Sequence, residues 1–183
     1  MTVPEAVPTG SRIQRRWALG WQIALAAYMQ LISWIPLGRW NHQPCCPAGW
    51  TQLKLGTLTI ADALQTFAFA LPLPLFWYAH RRDWRWAMWI ALVPYAIWLA
   101  LQLVTWWPPY LFGASANWAA VYDRAFAQET QILPRWGNHL PPDAMHLVLQ
   151  TMLVGVMWTG ISTLWFSREG RIRAPSSAAT APP

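Results

Sequence analysis

Trp86–Trp107, WAMWIALVPYAIWLALQLVTWW, contains no charged side chain and follows directly on the basic turn Arg81-Arg82-Asp83-Trp84-Arg85. A helix needs roughly 20 predominantly apolar residues to cross the hydrocarbon core of a bilayer. This stretch meets that length without interruption, so it reads as a membrane span entered from a positively charged turn. Three further windows qualify on either side: Trp17–Leu37, Leu58–Tyr78 and Asp143–Phe166. Asp62, Asp143 and His146 are the ionisable groups within them.

The composition agrees with that reading. Of 183 residues, 55% are hydrophobic and only 11% charged, whereas soluble domains carry about 25% charged residues. The expected fold is all-α: a four-transmembrane-helix bundle forming one domain over 17–166, with outer loops 38–57 and 108–142. Residues 1–16 form a cytoplasmic N-terminal segment. The low-complexity end, APSSAATAPP, makes 167–183 a disordered cytoplasmic tail.

The formal charge of +6 is distributed by position. Arg12, Arg15 and Arg16 precede the first span, Arg81, Arg82 and Arg85 join the second to the third, and Arg168, Arg171 and Arg173 follow the fourth. The two longer loops hold only Arg39, Lys54, Arg124 and Arg135. That bias places both termini inside, in a bacterial inner (plasma) membrane. It accounts for the basic excess without a nucleic-acid partner. The first span is longer than a signal-peptide core, and the bulky run Ile35-Pro36-Leu37-Gly38-Arg39-Trp40 offers no small-residue cleavage site, so it reads as a retained helix. Most of the sixteen tryptophans fall near span ends, where indoles anchor at membrane interfaces. Trp106 and Trp107 are among these, while Trp21, Trp89, Trp98 and Trp158 lie deeper.

Polar side chains inside the spans follow helical spacing. Gln22, Gln30 and Ser33 share one stripe of the first span, and Asp62, Gln65 and Thr66 one face of the second. Tyr95, Trp98, Gln102 and Thr105 share a face of the third, and Asp143, His146 and Gln150 a face of the fourth. They gather in the outer halves, which predicts a blind pocket open to the outside rather than a pore. Polar groups at membrane depth are costly unless they face each other or water. Asp62, Gln65, Gln102, Asp143, His146 and Gln150 are therefore candidate ligand-binding residues for a small amphipathic or hydrophobic molecule. Hydrogen bonds between helices account equally well for the amides. Asp143 follows Pro141-Pro142 and suits the first turn of a helix, where a carboxylate is favoured. Asp62 has no such role; opposite His146 it would fix the imidazole tautomer, as in a general base or a ligand-binding pair. No catalytic residue or cofactor is assigned, and whether the protein is an enzyme stays open.

Cys45 and Cys46 are adjacent in the first outer loop. Such neighbours bond to each other only with strain, so the pair, with His42, is a candidate soft-metal or redox site. Four spans with cysteines in the first loop resemble, in topology, the quinone reductase that regenerates periplasmic disulfides. That family has CxxC in the first loop and a second pair in the other, and residues 108–142 contain no cysteine; a relay through two disulfides is excluded here. Trp107-Pro108-Pro109-Tyr110 with Trp118 and Tyr122 is similar to the tryptophan-rich sensory (translocator) family, whose members have five spans. Asp62 followed by Leu71-Pro72-Leu73-Pro74 resembles the sterol-isomerase and sigma-2 group, which implies an acidic bundle pocket for sterol-like cations.

The second outer loop carries its own pattern. From Ser115 to Thr130, Trp118, Tyr122, Ala125 and Phe126 line one face, opposite Asp123, Arg124, Gln128 and Glu129. This predicts an amphipathic helix at the outer interface, capped by Ser115. Two further function classes fit the sequence: an accessory subunit of a larger membrane complex, docking on membrane-protein partners, and an outer-face thiol or metal-dependent redox protein.

Overall fold

A computed structural model describes residues 9–34, 37–40 and 70–172. Over these residues the chain is all-helical, with α1 Thr9–Trp34, α2 Pro72–Arg81, α3 Arg85–Phe112, α4 Ala116–Ala125 and α5 Ala144–Ile172. Two helices among the described residues are long and apolar enough to cross a membrane: α3, and α5 over Ala144–Trp165.

The helices pack through one stripe each. Ala18, Gln22, Leu25, Tyr28, Met29 and Ile32 recur every three or four residues on α1 and are buried, the spacing that keeps one helical face inward. On α5 the matching stripe is Leu149, Leu153, Val156, Thr159 and Thr163. These faces meet antiparallel. The Tyr28 hydroxyl donates to the Met145 carbonyl at 2.8 Å near one end, and the Trp21 indole lies against Gly155 in the middle. α3 also runs antiparallel to α5, with Leu92 against Gly160 and Trp106 against His146. α2 packs on α3 and more lightly on α1. Both glycines act through size, because a Cβ at Gly155 would sit 2.7 Å from a Trp21 ring carbon, and one at Gly160 2.7 Å from Leu92 Cδ2. Small residues of this kind let helices approach closely.

The prolines fall both at a helix start and inside a helix. The sequence puts Pro72 and Pro74 inside a span, but Pro72 begins α2, where a missing N–H costs nothing. Pro94, Pro108 and Pro109 do lie inside α3, and each lacks the N–H of a helical hydrogen bond. α3 ends at Gly113, whose φ of 91° only glycine adopts readily. Its Cβ position would strike the Asn138 amide at 2.7 Å.

The loop between α3 and α5 is built rather than slack. The α4 helix forms where the amphipathic pattern predicted it, and Ser115 Oγ accepts from the Trp118 N–H at 3.3 Å. Its apolar face lies on protein: Tyr122, Trp118 and Phe126 pack on Trp106 and Leu140. Removing the cap in Ser115→Ala should cost about 0.5–1 kcal/mol, read as faster amide exchange at Trp118 with exchange in α5 unchanged. Thr130 then joins three segments. Its N–H and hydroxyl both donate to the Arg39 carbonyl, at 2.7 and 3.0 Å, and its own carbonyl accepts from the Ala144 N–H at 2.7 Å. The residues after α1 are thereby tied to the first turn of α5.

Candidate functional site

At the loop end of the bundle, α5 opens on Asp143, which is completely buried. Its Oδ1 accepts from the His146 backbone N–H at 2.9 Å, satisfying one of the free donors of a helix start. Its Oδ2 lies 2.6 Å from His146 Nδ1. A carboxylate only accepts, so the proton of this contact lies on Nδ1. Nε2 has no hydrogen-bond partner among the described residues and is the atom through which this side chain, 15% exposed, can meet a ligand.

An aromatic wall holds the imidazole. The Trp106 ring lies 4.3 Å away, centroid to centroid, and Phe126 meets it edge-on at 5.6 Å. Trp106 contacts Trp118, Tyr122 and Phe126 in turn. The Tyr122 hydroxyl donates to the Pro141 carbonyl at 2.9 Å. Burial above all pushes its pKa up to about 12, with the Asp143 charge adding to the rise, so it remains a neutral donor. Glu129, expected on the polar face of the loop helix, is buried beside this cluster. Arg135 instead pairs with Asp123 at the surface, at 2.8 Å.

One helical turn on from His146, Gln150 is 6% exposed. The Trp107 indole N–H donates to its Oε1 at 2.9 Å. An indole only donates, which fixes the amide orientation and leaves Nε2 as the spare donor, buried without a partner. Gln150 lines an open groove of about 320 Å³ between α3 and α5, walled by Leu99, Leu103, Trp107, Leu147, Thr151 and Val154. The Thr151 hydroxyl is already used, donating to the Leu147 carbonyl at 2.9 Å. Across on α3, Gln102 is half-buried and its Oε1 lacks a donor.

The structure thus brings together Asp143 and His146, with Gln150 one turn further along α5. Thr105, expected on the inward polar face of the third span, is exposed, and Gln22 is fully buried with neither amide atom bonded. Asp62, Gln65 and Thr66, and the Asp62–His146 pairing, lie outside the described residues, as do Cys45, Cys46 and His42. Among the described residues no group of three His, Cys, Asp or Glu side chains could hold a metal. His139 is engaged elsewhere, its Nδ1 lying 2.8 Å from the Tyr110 carbonyl. Sequence reading missed the roles of Trp106 and Trp107, which it took for interface anchors; their signal was the apolar face of the loop helix, which needed something to cover.

At the opposite, arginine-rich end, burial and then the Arg15 guanidinium push the His80 imidazole below the usual histidine range, with Asp83 opposing. The Arg81 guanidinium stacks 3.8 Å above the Trp77 ring.

Comparison of the chain with protein-family models, with curated proteins and with solved structures returns no match.

Proposed function

We propose that this is a four-span protein of the bacterial inner membrane, with both termini inside, that binds a small hydrophobic or amphipathic ligand in the outer half of its bundle. The membrane reading is supported by what α3 and α5 expose. Trp86, Trp89, Ile90, Val93, Ile97, Leu101 and Val104 on α3 and Val154, Trp158 and Ile161 on α5 are all exposed, Trp158 to 74%. A soluble protein would not leave so large an apolar surface in water. The segregation of arginines to one end and loops to the other supports the orientation.

The observation that carries the ligand reading is Gln150. A buried amide N–H without an acceptor costs about 1–3 kcal/mol, and this one belongs to a side chain lining an open groove. An occupant with an apolar body and a hydrogen-bond acceptor, such as a carbonyl, would satisfy it by drawing the buried amide toward the groove. The groove opens on a flank where Leu103 and Val154 are exposed, so the ligand would enter from the bilayer rather than from the outer solution. His146 Nε2, held by Asp143, offers a second polar contact. Asp62 and Gln65, placed by sequence in the outer half of the second span, are further candidates for the same role.

Photolabelling with a decyl-substituted benzophenone, whose carbonyl supplies the acceptor, tests this. Labelled peptides should come from α3 and α5, and tridecan-7-one should compete where tridecane does not. Gln150→Leu should reduce labelling about tenfold, the loss of one hydrogen bond of roughly 1.4 kcal/mol. Equal labelling of that variant, or equal competition by the alkane, would overturn the reading.

A second function class has its own support. Leu111, Phe112, Ile132 and Trp136 are exposed at the loop end, a surface suited to docking an accessory subunit on a membrane partner. Native mass analysis after mild extraction separates the two, since a lone monomer excludes a stable complex.

A further inference from the structure

The groove between α3 and α5 offers more than the spare donor of Gln150. The Thr151 side chain also lines it and is exposed. Its hydroxyl proton is committed to the Leu147 carbonyl, one turn back, at 2.9 Å. A hydroxyl carries one donor and two acceptor lone pairs, so Thr151 Oγ1, bonded back to its own helix, can still accept. Gln150 stands the other way round, because Trp107 takes its Oε1 and leaves Nε2 as a donor. Neighbouring residues of one helix thus bring one donor and one acceptor to the same groove.

The remaining walls limit what can use them. Leu99, Leu103, Leu147 and Val154 are apolar, and none of the residues lining the groove is charged. Gln150 follows Ala144, the first residue of α5, by six positions, which at a rise of about 1.5 Å per residue is about 9 Å along the helix. In a membrane span that depth lies within the hydrocarbon, where an ionised group without a counter-charge is costly. Phosphate, carboxylate and ammonium groups are thereby disfavoured. A ketone or an ether is neutral but only accepts, and it leaves Thr151 unused. A hydroxyl is the smallest neutral group that can accept from the amide and donate to Thr151 at once.

We propose that the groove binds a neutral long-chain alcohol, whose hydroxyl accepts from Gln150 Nε2 and donates to Thr151 Oγ1 while its chain lies along Leu99, Leu103 and Val154. The amide turns toward the groove to meet it. Lipid tails offer a hydroxyl no hydrogen-bond partner, and an unbonded hydroxyl in an apolar medium is costly. In the groove it gains two bonds where a ketone gains one, which is the source of the selectivity. The inference rests on the ligand reading of this groove and adds the class of ligand to it.

The test extends the photolabelling competition, with the full chain in mild detergent. Tridecan-7-ol should displace the decyl-substituted benzophenone at a concentration about tenfold lower than tridecan-7-one, the equivalent of one more hydrogen bond. The methyl ether of the same alcohol, which accepts but cannot donate, should only match the ketone. Thr151→Val keeps the shape of an exposed side chain and removes its oxygen. In that variant the alcohol should fall to the level of the ketone, and the ketone should compete as before. Equal competition by alcohol and ketone in the unaltered chain overturns the proposal, as does an ether as potent as the alcohol. An alcohol advantage that survives Thr151→Val overturns it too. The measurements on the unaltered chain decide even if the variant fails to fold. Competition by tridecane equal to that of the ketone would sink the ligand reading of the groove itself; a competing ketone without an alcohol advantage sinks only this inference.

Discussion

Gly155→Leu should unfold or severely destabilise the bundle, because the position has no room for even one carbon. The Cβ alone would lie 2.7–2.9 Å from three ring carbons of Trp21, and an indole held between two helices cannot swing aside as a flexible chain end can. Overpacking of this kind costs about 1–3 kcal/mol for a methyl group and more for a branched chain. A graded series follows: Gly155→Ala lowers the unfolding midpoint, and Gly155→Leu abolishes the folded state. Pairing Gly155→Ala with Trp21→Ala should recover part of the loss, as expected for residues in direct contact. Gly20 on α1 provides the control. Nothing lies within 4 Å of its Cβ position, so Gly20→Ala should be neutral or should stabilise by up to about 1 kcal/mol. Equal effects at the two glycines would show that the α1–α5 approach differs from the one described.

Asp143→Ala should be the most damaging change at the loop end. It removes the acceptor of the His146 N–H and the partner of His146 Nδ1 together. A lost helix cap costs about 1 kcal/mol and a buried charge-assisted hydrogen bond about 1.5–3 kcal/mol, so a loss of roughly 2–4 kcal/mol is expected. Asp143→Asn can keep the cap through its amide oxygen but presents a weaker partner to the imidazole, so it should lose about half as much. Amide exchange separates the two contributions: the alanine variant should lose protection at His146 and Leu147, the asparagine variant much less. Unchanged protection in the alanine variant would remove Asp143 from both roles.

Where local chemistry decides, the sequence was a sufficient guide. Ser115 followed by an i, i+4, i+7, i+8 apolar face specified α4 and its cap, since both depend on neighbours in the chain. The two prolines before Asp143 marked the start of α5 for the same reason. The i, i+3, i+7 spacing of Asp143, His146 and Gln150 put them on one face of that helix. Partners across helices were not legible. The matching of His146 with Asp62 lies outside the described residues, and the contact described for His146 is with Asp143, one turn away on the same helix. Trp106 read as an interface anchor because it ends an apolar span, yet it is buried by a loop helix whose position no periodicity encodes. Glu129 sat on the polar face of the pattern and is nevertheless enclosed, because the loop folds back toward α5 after Phe126.

The sequence alone determined the all-helical character, the long apolar α3 and α5, and the sorting of arginines from loops, since length, hydropathy and charge position are properties of the chain itself. Only the tertiary structure decided which atoms are left with something to bind. That His146 keeps Nε2 and Gln150 keeps Nε2 follows from Asp143 and Trp107 having taken their other atoms. Hydrogen-bonding capacity is fixed by residue type, but what remains of it depends on which neighbours packing brings within about 3 Å.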